Sequence, residues 1–498
     1  MSSSAHSRRN VLRGIGAGAV VVGWSAVSSS WVTAEAGSAQ ASTVAPVPPL
    51  DGTLVTSPQV LGEFAKDWGG FVTGAPKAVL RAGSVQDVVK IVNYARANRL
   101  KVAVNAQSSS ADAPESHSFW GNALAPGGIA IDGKSFNKIH SITSTHAVVG
   151  SGVSLHDLAA ATLDRGLIVP SQTDYLRLSV GGVASVGGFG GTVPKYSVFS
   201  QMIEEIEVVT GDGRVLTASP TVCPDLFNAV INGGGQVAII TKAKIRLMKA
   251  PQRIRMFTLS YTDLAKWQRD QEFLMRDGRF TQQGGYFSRK PDDSGWWYQL
   301  EGGFYYSSPT VPDDAKLLAG LNDERAALQV NDHDFRDWTY RVDPGEQAWK
   351  DGGFWDGPHP WLSMIVPASK IQTFIPFVLS ELTADQLGAG FSILSPLQTA
   401  QVTRPLFAKP NEPVAYLCDL LRMPPPGDPN IQAYLAQNRR FYDKLVSLGG
   451  KRYLIGAIPG MNPAQWKRHF GSNWDFLVSS KRRYDPDSIL APGQGFFA

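Results

Sequence analysis

Cysteine is nearly absent: Cys223 and Cys418 are the only two in 498 residues. That excludes a disulfide framework, a CxxC zinc knuckle and a CxxC redox pair, and leaves one disulfide or two free thiols. Charge of one sign is also lacking. The 47 Lys and Arg against 43 Asp and Glu give +4, too balanced for a nucleic-acid partner or strong attraction to a membrane surface. Gly14-x-Gly16-x-Gly18 lies inside the N-terminal segment, so a nicotinamide-type dinucleotide fingerprint is missing, and there is no P-loop. Without His-Glu-x-x-His or a His/Cys/Asp set at ligand spacing, no metal site is expected. The absence of Gly-x-Ser-x-Gly removes the serine nucleophile elbow. No apolar run reaches 18 residues, so a membrane-spanning helix is not expected in the mature chain.

What is present is a foldable composition, 43% hydrophobic and 18% charged, in a chain long enough for two lobes. The 50 Gly and 13 Trp suggest close backbone approach to a ligand and flat binding walls. At the N-terminus, Arg8-Arg9 followed by Val11-Leu12 and an apolar run to Trp24 reads as a twin-arginine export signal over residues 1–36, cleaved at Ala34-Glu35-Ala36. The expected location is secreted or periplasmic, reached as a folded protein, with no stable membrane anchor after cleavage. Its removal takes three Arg and one Glu and leaves +2. Residues 37–49, rich in Ala, Ser, Thr and Pro, read as a linker.

Beyond residue 50 helix and strand signals alternate. Ser84-Val85-Gln86-Asp87 is a capping box opening a helix over 85–98. Strands are expected at 101–104, 129–131 and 147–149, and a helix over 155–165. Residues 205–210 and 215–218 flank Gly211-Asp212-Gly213-Arg214, a hairpin signal, before a long strand over 237–248. At Pro251 the character shifts: residues 252–445 hold seven of the Trp, and alternation such as Trp297-Tyr298-Gln299-Leu300-Glu301 indicates an antiparallel sheet with helices. The expected class is α+β in two lobes. One lobe takes residues 50–249, a substrate lobe is inserted over 250–449, and residues 450–498 return to the first.

Chemistry concentrates in glycine. Gly181, Gly182, Gly187, Gly188, Gly190 and Gly191 put six glycines in eleven residues directly after Thr173-Asp174-Tyr175-Leu176. A stretch without Cβ atoms lets backbone N–H groups converge on an anionic or planar ligand. Gly233-Gly234-Gly235 opens a second such turn before a strand.

The ordered set of Pro76 to Ala97, His117-Ser118, Ala125-Pro126-Gly127-Gly128, Thr173-Asp174-Tyr175-Leu176 and Val180-Gly181-Gly182 resembles the PCMH-type FAD-binding fold of the vanillyl-alcohol oxidase group. With Pro358-His359-Pro360-Trp361-Leu362, Trp466 to Gly471, Arg482 to Pro486 and Ile489 to Gln494, it is similar to the cytokinin dehydrogenases over nearly the whole mature chain. The resemblance implies FAD held covalently through His117, which would raise the cofactor's potential and prevent its loss outside the cell. It implies cofactor contacts at Ser118, Asn122, Asp174, Ser179, Gly181, Gly182, Ser185, Gly188, Phe189, Ile240, Tyr453 and Gln494. One departure precedes His117: Asn105 to Ser116 has no glycine where the family carries a short Arg-Gly-x-Gly turn.

The same resemblance makes Asp174 the catalytic base, taking the proton of a substrate amine while hydride passes to the flavin. A carboxylate beside an apolar ring is desolvated, so its pKa is expected to rise toward a useful value. A companion Glu of the family would fall near Gln283-Gly284-Gly285, where no carboxylate stands. The expected reaction is oxidation of a C–N bond in a small secondary amine, cytokinin-like or other, with oxygen or a quinone taking up the electrons. The alternatives are a berberine-bridge-type FAD oxidase of an alcohol, sugar or secondary metabolite, and a secreted binding protein that kept the fold without catalysis. His359 is read as either a core residue or a pocket wall, and Arg482-Arg483 as solvated surface.

Overall fold

In the computed structural model, which describes residues 21–25, 28, 30–33, 44–106, 116–290 and 294–497, Ser84 starts the helix Val85–Ala97 by accepting the Asp87 N–H at 3.3 Å. The Asp87 carboxylate does not close the box on Ser84. It accepts instead from the N–H groups of Asp51, Gly52 and Gly83 at 2.7–2.9 Å and so pins the preceding strand to the helix.

The helix covers a four-stranded sheet ordered Thr53–Val55, Ala78–Arg81, Ile129–Asp132, Val102–Asn105, whose last three strands are parallel. Strands buried on both faces read as near-continuous apolar runs, as Ala78-Val79-Leu80 and Ile129-Ala130-Ile131 do. A five-stranded antiparallel sheet follows, ordered Val215–Ala218, Ile203–Thr210, Ala238–Arg246, His146–Gly150, Ile139–Ile142. The helices Leu155–Leu163, Val180–Val186 and Pro224–Val230 share its core.

Two further antiparallel sheets form the second lobe. One is ordered Gln282–Arg289, Trp296–Tyr306, Arg253–Tyr261, Gln329–Asp334, and the other Phe391–Gln398, Val414–Leu421, Leu362–Pro367, Lys451–Gly456. Serine hydroxyls join them at their edges: Ser395 and Ser392 accept from Gly285 N–H and Phe287 N–H at 3.2 and 2.9 Å. The helices Leu264–Asp277, Ile371–Glu381 and Ile431–Ser447 pack on this layer. The molecule is thus α+β with two lobes.

Three elements differ from expectation. Lys451–Gly456 is the edge of a second-lobe sheet, paired to Leu362–Pro367, so the chain returns to the first lobe after Gly456 rather than at 450. The return is fixed where Val102 and Leu490 bridge. Val44–Pro46, expected within a linker, is a strand paired to Val21–Ser25. Val21–Ser25 itself, expected within the export segment, lies between Val44–Pro46 and Ser30–Thr33. Aromatic burial accounts for this sheet: Trp24 is 4% exposed, Trp31 stacks on Tyr94 of the helix Val85–Ala97 at 5.9 Å, and the Tyr94 hydroxyl accepts the Trp24 backbone N–H. Arg8-Arg9 and the Ala34-Glu35-Ala36 site lie outside the described residues. Among the described residues no helix is long and apolar enough to cross a membrane, and Cys223, exposed, and Cys418, buried, are both free thiols.

Candidate active site

The glycine segment begins as the helix Val180–Val186, capped by Ser179, whose Oγ accepts the Gly182 N–H at 3.2 Å. Its first turn faces a cleft of about 230 Å³. The opposite walls are the strand Val102–Asn105, the loop from His117 to Ala123, and the turn at Gly234 and Gly235 with Ala238 to Ile240 behind it. Leu454, Ile455, Leu490, Ala491 and Gln494 close the end. His117, Ser118, Asn122, Ser179, Gly181, Gly182, Ser185, Ile240 and Gln494 all line this cleft.

Gly187, Gly188, Phe189 and Tyr453 do not. A Cβ at Gly187 would stand 2.8 Å from the Phe407 ring, and one at Gly188 2.4 Å from Val183. Their bareness serves packing, and of the four glycines Gly181, Gly182, Gly187 and Gly188 it is Gly181 and Gly182 that line the cleft. The Tyr453 hydroxyl accepts the Gly188 N–H at 2.7 Å, and Phe189 packs on the apolar cluster that contains Tyr453 and Phe407. These residues brace the segment from behind.

His117 sits at the cleft wall with its Nε2 3.3 Å from the Tyr175 hydroxyl. Burial, then the charges of Lys350, His359 and Arg177, push its pKa down to about 3, so the imidazole is neutral at pH 7. Around it is an aromatic cluster from both lobes. Trp68 stacks on His359 at 3.8 Å and 6°, and lies 5.0–5.6 Å from Trp361, Trp355, Phe119 and His117. His359 is fully buried. Its Nδ1 donates to Trp68 O at 3.0 Å and its backbone N–H to Gly69 O. His359 is therefore core, a clamp between the lobes. Arg482 and Arg483 are exposed, and Arg483 pairs with Asp225. The stretch 107–115 before His117 lies outside the described residues.

Asp174 occupies a second recess of about 30 Å³, lined by Gln172, Thr173, Thr192, Gln282, Tyr305, Trp338 and Arg341 among others. Gly190 and Gly191 make it possible: a Cβ at Gly190 would collide with Gln172 O at 2.2 Å, and one at Gly191 with the Gln282 side chain at 2.7 Å. The Asp174 carboxylate accepts the Gly191 N–H at 3.2 Å and pairs with Arg341 at 2.5 Å. Its side chain is 39% exposed. The lone desolvated carboxylate expected from the sequence is in fact half of an ion pair.

Sequence reasoning also missed Glu301. Gly284, at the place of the absent companion Glu, pairs in register with Glu301 on the neighbouring strand. Glu301 lies near the Tyr286 hydroxyl and feels the charges of both Arg341 and Asp174. Burial, the dominant influence, raises its pKa above the usual carboxylate range. The alternation at Trp297 to Glu301 was a visible signal for the strand, but its register against Gly284 was not. Among the described residues no group of three or more His, Cys, Asp or Glu is arranged to hold a metal.

Residues 281–497 match the family model described as cytokinin dehydrogenase 1, FAD and cytokinin binding, and residues 76–219 match the FAD binding domain. An uncharacterized oxidoreductase of the fasciation locus of Rhodococcoides fascians is 35% identical over 444 residues, 89% of this chain and 99% of that protein. Cytokinin dehydrogenase 2 of Arabidopsis thaliana is 30% identical over 481 residues, 90% of this chain and 94% of that one. The chain belongs to the cytokinin dehydrogenase family. It is an FAD-dependent oxidoreductase of the cytokinin dehydrogenase type. The fold is shared with 6-hydroxy-D-nicotine oxidase from Arthrobacter nicotinovorans, at a TM-score of 0.66 and 20% identity over 89% of this chain and 96% of that one.

The cleft suits the cofactor of the family. A Cβ at Gly182 would meet only Ser179 Oγ within 4 Å and one at Gly235 only Ala491 Cβ, so both positions leave room for a ligand pressed against backbone. Gln494 Oε1 is buried at the cleft with no hydrogen-bond partner among the described residues. A buried polar atom of that kind costs about 1–3 kcal/mol unless a ligand or water satisfies it.

Proposed function

We propose that this cytokinin-dehydrogenase-type enzyme oxidises a C–N bond of a small secondary amine, with Asp174 as the base. The observation that carries the reading is the placement of Asp174. It is held by Gly191 of the same glycine segment whose first turn lines the cleft, and it lies against Gln282, Tyr305, Trp338 and Arg341 of the second lobe, where residues 281–497 match the FAD and cytokinin binding model. FAD bound in the cleft would supply the acceptor for the hydride. The chain's part is to take the amine proton: the Gly191 N–H and Arg341 both meet Oδ1 of Asp174, which keeps its second oxygen for that task. His117 is proposed as the covalent anchor, and its neutral imidazole supports this by offering an unprotonated nitrogen at the cleft wall. The electrons are proposed to pass on to oxygen or a quinone. Export by the twin-arginine route, as a folded holoenzyme, is proposed from Arg8-Arg9 and the apolar run behind it.

Anaerobic mixing of the yellow holoenzyme with 6-alkylaminopurines, other secondary amines, alcohols and sugars tests this reading. Bleaching of the flavin by amines supports it. Bleaching only by alcohols or sugars replaces it with the berberine-bridge-type alternative.

A further inference from the structure

The loop that carries His117 has no helix or strand of its own over residues 116–122. Two hydrogen bonds from one short segment hold it from outside. The Trp68 N–H donates to Ser118 O at 3.0 Å, and Asp67 Oδ2 accepts the Gly121 N–H at 3.0 Å. The other oxygen of Asp67 accepts the N–H groups of Phe71 and Val72 at 3.2 Å, which closes the segment on itself. The carboxylate, in a residue 2% exposed, thus serves the segment with one oxygen and the loop with the other. Gly121, at φ 72°, lets the two turns meet, since a Cβ there would stand 2.7 Å from Val72 Cγ1. From the second lobe, Pro358 and His359 grip the same segment. His359 donates from Nδ1 to Trp68 O and from its backbone N–H to Gly69 O, each at 3.0 Å. Gly70 passes Pro358 at φ 76°, where a Cβ would lie 3.3 Å from Pro358 Cα. The Trp68 ring meets both histidines: it stacks on His359 at 3.8 Å and lies 5.6 Å from His117.

We propose that Asp67 and Trp68, held by His359, are positioning residues for flavin attachment: they set where the His117 imidazole stands at the cleft wall. This rests on His117 being the covalent anchor. The bond joins a ring nitrogen of His117 to a methyl carbon of the flavin in place of one N–H and one C–H. The two hydrogens, with their electrons, reduce the flavin ring system itself, and oxygen takes them up afterwards. Such a step needs the reacting atoms about 3–3.5 Å apart, and a misplacement of about 1 Å costs on the order of 10²-fold. A loop without ladder hydrogen bonds does not hold that tolerance alone. A buried carboxylate shared between two turns and an indole stacked on a second-lobe histidine supply the support.

Asp67→Asn has a single side-chain oxygen and so satisfies only one of the two turns, while Trp68→Leu keeps the backbone bonds and removes the ring beside His117. Each is purified as the yellow protein and precipitated in acid, and flavin is measured on the pellet and in the supernatant. Wild type is expected to keep its flavin on the pellet. In both variants the pellet share should fall by about threefold or more, while total flavin per protein stays within about twofold of wild type. Asp270→Asn controls for a merely destabilised fold: that carboxylate is likewise buried, holds Tyr261 and Asn322 in the second lobe, and should leave the pellet share unchanged. Full attachment in Asp67→Asn and Trp68→Leu overturns the positioning role and leaves His117 as the anchor. An equal fall in Asp270→Asn, or loss of total flavin in step with the pellet share, overturns it as a folding defect. If Asp67→Asn yields no folded protein, Trp68→Leu decides alone. Wild-type flavin found only in the supernatant overturns the covalent anchor itself, and the positioning role with it.

Discussion

Lys481→Met tests how the C-terminal segment is held to the cleft. Lys481 and Asp485 pair at 2.7 Å on one helical turn with side chains 6% and 0% exposed. Lys481 Nζ also donates to Gln236 O at 2.7 Å and Leu490 O at 3.1 Å, while Asp485 accepts the N–H groups of Ile489 and Leu490 at 3.0 and 2.9 Å. This node reaches the turn that carries Ala491 and Gln494 into the cleft, and Gly211 lets the carboxylate in, since a Cβ there would sit 2.4 Å from Asp485 Oδ1. Methionine fills the volume but leaves the carboxylate uncompensated, at a cost of about 3–5 kcal/mol. For a cooperative unit of 150–250 residues each kcal/mol moves Tm by about 2–4 °C, so a drop of roughly 6 °C or more is expected. Arg483→Met is the control: its pair with Asp225 is 68% and 41% exposed and contributes under about 1 kcal/mol. Thermal melts followed by flavin fluorescence read both variants. If Lys481→Met melts within about 2 °C of wild type, or no lower than Arg483→Met, the buried pair does not anchor this segment.

Gly182→Val should fold and lose flavin, because a branched side chain there stands in the cleft; the yellow absorbance per protein after purification measures it. Acid should destabilise the protein partly through His359. Burial pushes its folded pKa to about 4, below the unfolded value near 6.5, so the unfolded state binds the extra proton between those values and stability falls as pH drops through that window. At pH 5 this amounts to about 2 kcal/mol relative to neutral pH. His359→Gln should reduce the difference between urea midpoints at pH 7 and pH 5, and an unchanged difference would assign the acid sensitivity elsewhere. Covalent attachment at His117 predicts that fluorescence stays on the acid-precipitated protein and is lost in His117→Ala; flavin found only in the supernatant would refute it.

Local signals carried far in this chain. The hairpin around Gly211 to Arg214 and the helix capped by Ser84 follow from turn and capping chemistry that neighbouring residues settle between themselves, and the first turn of the glycine segment was legible because bare backbone has few other uses. Gly187 and Gly188 look the same in sequence, yet Gly187 faces Phe407 and Tyr453, contacts set by distant parts of the chain, and Gly188 faces Val183 and Phe199. Glu301 became visible only through cross-strand register, which no single strand encodes. Arg341 follows a five-residue helix with no periodic context, and nothing near it in the chain points to Asp174, 167 positions away. The strand Lys451–Gly456 was assigned to the wrong lobe because its glycine-rich flank resembles the segment beyond it, while its partner, Leu362–Pro367, lies in the middle of the chain.

Asp174 is proposed to accept the proton of an amine whose C–N bond is oxidised. Asp174→Asn keeps the shape and the Gly191 N–H contact and removes the charge, so the holoenzyme should stay yellow. Rapid anaerobic mixing with a 6-alkylaminopurine that bleaches the wild type should then show flavin reduction slowed by about 10²-fold or more. Reduction of Asp174→Asn at the wild-type rate would remove Asp174 as the base.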